Sequence, residues 1–187
     1  MSEPFPGAAP GPVDALDTID AVAGLAPDGP VAALRRARGK VDLHTRGSEA
    51  ALFDPALAGL SLAERWHAAR HAAALSRAAG LAAAYRARLD AAEPEAGRAA
   101  LARQTAAIDL AAFDTLPPRL AAIAAHVRLL VETPVAAGPA HLAALRDAGL
   151  DTAAIVALSQ LVAFVTYQAR VVAAAAALQA HFSKEAA

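Results

Sequence analysis

From Asp151 to His181 the chain reads DTAAIVALSQLVAFVTYQARVVAAAAALQAH, without a proline or a glycine. That unbroken run predicts one long helix and limits the folds open to the rest of the chain. Gly149 suits the left-handed residue that ends a preceding helix, and Asp151 suits the cap of the new one. At about 100° per residue, Ile155, Leu158, Leu161, Val162, Val165, Ala169 and Val172 share one wide face, with Phe164 and Val171 almost opposite. A helix apolar on two sides is expected to be central. Ser159, Gln160, Thr166, Tyr167 and Arg170 occupy the remaining arc, which is solvated, bonded to a neighbouring subunit or lining a pocket.

Hydrophobic residues make up 57% of the 187 residues and aromatics only 4%, so alanine dominates the apolar fraction. Alanine favours helix and lets helices approach closely. No β-branched runs bounded by turn signals occur, and an all-α fold without a sheet is predicted. The length suits one domain, or two fused small halves, with a sizeable core. A formal net charge of −1 leaves no basic excess to neutralise phosphate, which argues against a nucleic-acid partner. The chain has no cysteine, so disulfides, thiolate nucleophiles and cysteine metal ligands are excluded. Residues 1–12, with four prolines and two glycines, read as a mobile tail and lack the pattern of a secretory signal. Ser159, Gln160, Gln168 and Arg170 interrupt the long apolar run, so it reads as a soluble core helix rather than a membrane span, and a cytoplasmic location is expected.

Other helix signals punctuate the chain in order. Asp17 and Gly24 bracket a short helix, and Pro30 starts another with Arg35, Arg36 and Arg38 near its C-terminus. A helix over 40–53 ends at Asp54-Pro55. Ser61 and Glu64 form a capping box for a helix to about Leu75; after a break at 76–80 a second runs to about Ala91. Helices are predicted over 95–110, 119–132 and 139–148, with Leu120, Ile123, Val127 and Leu130 as the stripe of the second. Ala58-Gly59-Leu60-Ser61 is echoed 90 positions later by Ala148-Gly149-Leu150-Asp151. Each copy is helix stop, cap and helix start, before the two main helices, which suggests a duplicated half.

With these segments the chain resembles the alkyl hydroperoxidase D / carboxymuconolactone decarboxylase family, in its peroxidase-related, two-repeat branch. Leu60-Ser61-Leu62-Ala63-Glu64-Arg65 is similar to the L-S-x-x-E-R-E start of the family's active helix. Gly149 to Arg170 is similar to its late helix, with apolar residues, a tyrosine and an arginine in order. The resemblance covers Asp14 to His181 loosely. It implies a helical bundle of two related halves, about 13–92 and 93–187, and a symmetric assembly. The family's peroxidase relay uses a Glu, a C-x-x-C pair and a His four residues on. Aligned from Glu64-Arg65, those positions hold Trp66, Ala78, Leu81 and Tyr85. The resemblance implies peroxide chemistry, and these four residues remove every group that would perform it.

Other constellations each admit an ordinary reading. Glu64, His67 and His71 lie on one helical face, and His at i and i+4 can share a metal, with His44, Asp54 or His126 as further donors. The ordinary reading is a solvated face, and no metal or other cofactor is expected. Trp66 reads as a core or interface anchor rather than a stacking platform for substrate. Tyr85 could donate a proton or orient a ligand; its ordinary reading is a surface tyrosine with a wet hydroxyl. His126 reads as a satisfied structural histidine. Ser159, Thr166 and Arg170 form a stripe in which the Arg170 fork could hold a carboxylate or bridge two subunits.

The leading expectation is a cysteine-free relative of that family, without thiol peroxidase activity, serving as a ligand-binding or assembly component. The rival is a cofactor-free enzyme of the lactone-decarboxylase type, with His67, His71, Tyr85 and Arg170 as acid–base and binding groups. Convergence of those side chains in one cleft separates the rival from the leading reading. A homo-oligomer is expected, with Trp66 or the Ser159–Arg170 stripe meeting its own copy across a symmetry axis.

Overall fold

A computed structural model describes residues 17–185, so the N-terminal tail read from the sequence lies outside the described residues. Among the described residues there are nine α-helices, three single 3-10 turns and no strand. The helices are α1 (Thr18–Ala23), α2 (Pro30–Arg36), α3 (Gly39–Leu52), α4 (Leu62–Leu75), α5 (Ala79–Ala92), α6 (Arg98–Asp109), α7 (Pro118–Glu132), α8 (Pro139–Asp147) and α9 (Thr152–Glu185). The all-α expectation is met. So are the sequence signals at the ends: Asp17 caps α1, Pro30 opens α2, Gly24 closes α1 in the left-handed conformation, and the Ser61–Glu64 capping box forms in full.

The centre of the fold is α4, not α9. All nine residues from Arg65 to Ala73 are buried, a run that covers every side of the helix. α5 folds back along α4, and α7 and α9 pack on its other sides. Ala68, Ala69, Ala72 and Ala73, almost wholly buried, let these neighbours come close. α9 contributes one face only: Ala154, Ile155, Leu158, Leu161, Val162, Val165 and Ala169 enter the core, while Val156 and Tyr167 are exposed. The C-terminal half of α9 leaves the main core; there Ala175 packs against Leu25, Val31 and Ala32. By length and composition α9 is apolar enough to cross a membrane. Its buried stripe is nevertheless the wall against which α4 rests.

A buried cation ties the α3–α4 connection to α4. Arg65 donates to the carbonyl oxygens of Leu52 at 2.9 Å and Asp54 at 2.8 Å, with longer bonds to Leu57 and Ser61. Its charge is thus held by backbone dipoles, and burial pushes its pKa down.

The two echoed tetrapeptides stand side by side. Gly59 and Gly149 both adopt positive φ, at 87° and 84°. A Cβ on Gly59 would lie 3.0 Å from the Cβ of Ala154 in the first turn of α9. Arg119, from the first turn of α7, joins the turns: Nη1 donates to the Gly149 oxygen at 2.6 Å and Nη2 to the Gly59 oxygen. Its Nε donates to Glu64 Oε1 at 2.7 Å, so the capping-box carboxylate belongs to the same clamp. Beyond the caps the halves differ. The helix after Ser61 breaks at Arg77, itself at positive φ, whereas the helix after Asp151 continues for 34 residues.

Gly59 therefore combines backbone strain with close packing. Gly59→Ala is expected to destabilise the protein by more than the roughly 1–2 kcal/mol of a left-handed alanine alone. Gly24→Ala, at φ 65° with no atom near the added Cβ, should lose only that smaller amount. Urea denaturation of both variants is the check; equal losses would contradict the close approach of the two turns.

Candidate functional site

The two sides of α4 carry different polar chemistry. On one side Trp66 stacks on Phe53, with ring centroids 3.8 Å apart and planes 10° from parallel. Tyr85 of α5 lies 5.9 Å from the Trp66 ring, and the Arg88 guanidinium sits 5.5 Å from both rings. The Tyr85 hydroxyl donates to Gln168 Oε1 of α9. Gln168 Nε2 then donates to Glu49 Oε2 at 3.2 Å, and Arg88 Nη1 donates to Glu49 Oε1 at 2.8 Å. Thr18 closes the network, accepting from Arg88 at 2.6 Å and donating to Glu49. Burial, reinforced by the Glu49 charge, pushes the Tyr85 phenol above its ordinary range and keeps it a donor.

This corrects the reading of Tyr85 as a surface residue with a wet hydroxyl, since its ring is fully buried. The cause is α5 folding back on α4 while α9 offers an amide at the right height. Trp66 is likewise largely enclosed in the chain's own core, as the anchor reading expected. Leu81 is fully buried beside them, and Ala78 packs at the start of α5.

The other side of α4 holds His67, Arg70 and His71, all nearly inaccessible, where a solvated face was expected. Arg70 makes a two-pronged ion pair with Asp109 at the end of α6, at 2.7 and 3.2 Å. The His71 ring meets Phe113 edge-on at 6.1 Å. His67 Nδ1 and His71 Nε2 have no hydrogen-bond partner among the described residues. Burial, then the neighbouring Arg70 charge, pushes both imidazoles down to about 4, so both are neutral at pH 7. Among the described residues no three His, Asp or Glu side chains gather as a metal site. The additional donors considered from the sequence are engaged elsewhere or exposed. Asp54 accepts from the Ala56 amide, His126 pairs with Ser159 at 3.3 Å, and His44 lines a groove between α3 and α9.

Of the four candidates, His67 lines a cleft among the described residues. This cavity of about 380 Å³ lies between the start of α4, the α5–α6 connection, α6 and the start of α7. Ala63, Leu101 and Leu120 form apolar wall; Glu64, Glu93, Gln104 and Arg119 bring the polar groups. Arg119 is committed to the clamp described above, so it offers the cleft no free cation. His71 faces Phe113, Tyr85 belongs to the core network, and Arg170 is exposed on α9 without an ion pair among the described residues. The Ser159 and Thr166 hydroxyls of its stripe bond carbonyls of their own helix, at Ile155 and Ala163. The four side chains are thus dispersed.

Sequence reasoning missed Gln104, Glu93, Glu49, Gln168 and Arg119. Gln168 did carry a signal: it stands two turns after Leu161, on the buried side of the helix. Arg119 carried none, because its partners are carbonyls of two distant turns. No protein-family model, curated protein or solved structure matches this chain.

The neutral histidines make stability depend on acid. Each titrates at about 4 when folded against 6.5 ordinarily, so the unfolded chain takes up protons first as pH falls. Their contribution is complete above pH 6.5 and lost on descent toward pH 4, on the order of 3 kcal/mol for each ring. Urea midpoints should therefore fall between pH 7 and 5. His67→Gln with His71→Gln should flatten that slope, and an unchanged slope would contradict the burial of neutral rings.

Proposed function

We propose that this chain is a cysteine-free, alkyl hydroperoxidase D / carboxymuconolactone decarboxylase-like protein that works by binding rather than by thiol chemistry. Its setting would be the peroxide and antioxidant metabolism that the resemblance implies. The observation carrying this reading is the pairing of two facts about α4 and α5. The positions where the resemblance puts the relay hold Trp66, Ala78, Leu81 and Tyr85, which serve packing and a closed hydrogen-bond network. A separate cleft between α4, α6 and α7 combines apolar walls with the polar side chains of Glu64, His67, Glu93 and Gln104. Concavity with apolar walls and a few polar groups is the usual character of a small-molecule site.

An acid–base enzyme of the lactone-decarboxylase type is the second reading, and His67 is the observation that favours it. A neutral imidazole at a cleft could accept a proton from a bound substrate. The dispersal of His71, Tyr85 and Arg170 weighs on the side of binding, because it leaves His67 without a second titrating partner other than carboxylates.

The assembly part of the proposal rests on the outer face of α9. Val156, Tyr167 and Leu178 are exposed there, and Val41 and Leu43 of α3 are exposed as well. Apolar surface of this kind often marks association, and a second copy is the occupant proposed.

Purified protein with a dithiol reductant and tert-butyl hydroperoxide is expected to consume peroxide no faster than buffer. Protein-dependent turnover that survives metal removal would overturn the reading of binding without peroxidase activity. Light scattering should give a mass above the 18.9 kDa of one chain, and a mass equal to it would end the assembly proposal.

A further inference from the structure

Helix α6 covers one face of α4 with few fixings. Of its 12 residues, Leu101, Thr105 and Ile108 are buried. The Thr105 hydroxyl bonds Leu101 of its own helix. Among the described residues, one ion pair, Arg70–Asp109, ties α6 to the rest of the chain. Its two ends are unequal: the Arg70 side chain is 7% exposed and that of Asp109 is 48% exposed. Turns bound the helix on both sides, at Pro94–Gly97 before it and at Ala111, with φ 56°, after it. The left-handed conformation is unfavourable for alanine, so release of the second turn relieves strain.

The face of α4 beneath α6 and the turn at Phe113 is poorly satisfied. His67, Arg70 and His71 are buried there side by side. His67 Nδ1, Arg70 Nε and His71 Nε2 have no hydrogen-bond partner among the described residues. Three such atoms under one short helix are costly, and water that reaches them removes the cost. Gln104 and Asp109 face the rings from α6, Arg86 from α5, Arg128 and Glu132 from α7, and Glu64 and Arg70 from α4 itself. Glu64, Asp109 and Glu132 already bond to Arg119, Arg70 and Arg128, and Arg86 bonds to Asp90. Glu93 lines the cleft beside His67 but lies folded against Gly97. A proton on either ring would therefore add a charge beside Arg70 where the facing carboxylates are taken.

We propose that α6, with the turn that carries Phe113, is an acid-released cover that leaves α4 as a unit and brings His67, Arg70 and His71 into contact with water. Under the cover both rings are neutral at pH 7, held near 4 by burial and then by Arg70. Uncovered, they take up protons at their ordinary pKa of about 6.5, and two imidazolium ions beside Arg70 oppose reclosing. The covered pKa is the lower one, so opening gains as pH falls below 6.5 and stops gaining near 4. Between pH 7 and pH 5 the open population rises about twentyfold for each ring, and on the order of a few hundredfold for both. The opened chain shows three cations on one face of α4 and loses the wall that Leu101 and Gln104 give the cleft. Opening requires no ligand.

Amide hydrogen exchange of the full chain between pH 7 and pH 5, corrected for the intrinsic exchange rate at each pH, reads the opening. The amides of α6 are expected to be less protected than those of Leu158 to Val165 in α9. They should lose protection by on the order of a few hundredfold by pH 5 and reach open-chain rates while α9 is still protected. NMR titration of the His67 and His71 rings should give one shared midpoint, because one event uncovers both. His67→Gln with His71→Gln should leave α6 equally protected at pH 7 and pH 5. Asp109→Asn removes the ion pair at a half-exposed position and keeps both rings. It should raise their shared midpoint toward 6.5, and it decides the matter if the double variant does not fold. Loss of protection in α6 and α9 together would overturn the proposal, as would α6 protection that ignores pH. Separate midpoints for the two rings, or a midpoint unmoved in Asp109→Asn, would overturn it as well.

Discussion

A helix can be covered on every side only if its neighbours come close, and α4 satisfies this with alanine. Ala68, Ala69, Ala72 and Ala73 leave room for α5, α7 and α9 to approach, and little apolar side-chain volume for anything else. The large buried residues of α4 are consequently the polar and aromatic ones, Arg65, Trp66, His67, Arg70 and His71. Three of them take partners in two surrounding segments. Arg65 takes carbonyls of the α3–α4 connection, Trp66 takes Phe53, and Arg70 takes Asp109. The packing of one helix is thereby tied to the α3–α4 connection and to the end of α6.

This arrangement separates two kinds of chemistry that a linear reading brings together. Trp66 and His67 are adjacent in sequence, yet one joins a closed aromatic and hydrogen-bonded network and the other lines a cleft. The network around Tyr85, Gln168 and Glu49 has a donor matched to each acceptor across four helices, which suits a structural role. The cleft has the opposite character, with polar side chains set in an apolar wall and open to solvent.

Helix ends were legible in the sequence because their signals are local. Asp17, Ser61 with Glu64, Gly149 and Asp151 act within three or four residues of themselves, and all take the places expected. The buried stripe of α9 was legible because Ile155, Leu158, Leu161, Val162 and Val165 contrast with polar neighbours. The burial of His67, His71 and Tyr85 was not, since alanine on both sides of a helix erases that contrast. With no periodic difference, a histidine among alanines reads the same on a wet face as in a core. The site partners Glu93, Gln104 and Arg119 come from segments far along the chain, and only the fold brings them beside His67.

The Arg119 clamp has a consequence for how this chain can be divided. Its acceptors lie 60 and 55 residues before it and 30 residues after it. A cut near residue 93, between the halves suggested by the echoed turns, would part the guanidinium from Gly59 and Glu64. It would also strip α7 and α9 from α4, exposing Arg70 and both buried histidines to water. Whatever the history of the two turns, each side of such a cut would lose packing that the other supplies. The cover of α4 and α1 is complete only when α9, the last helix of the described residues, is in place.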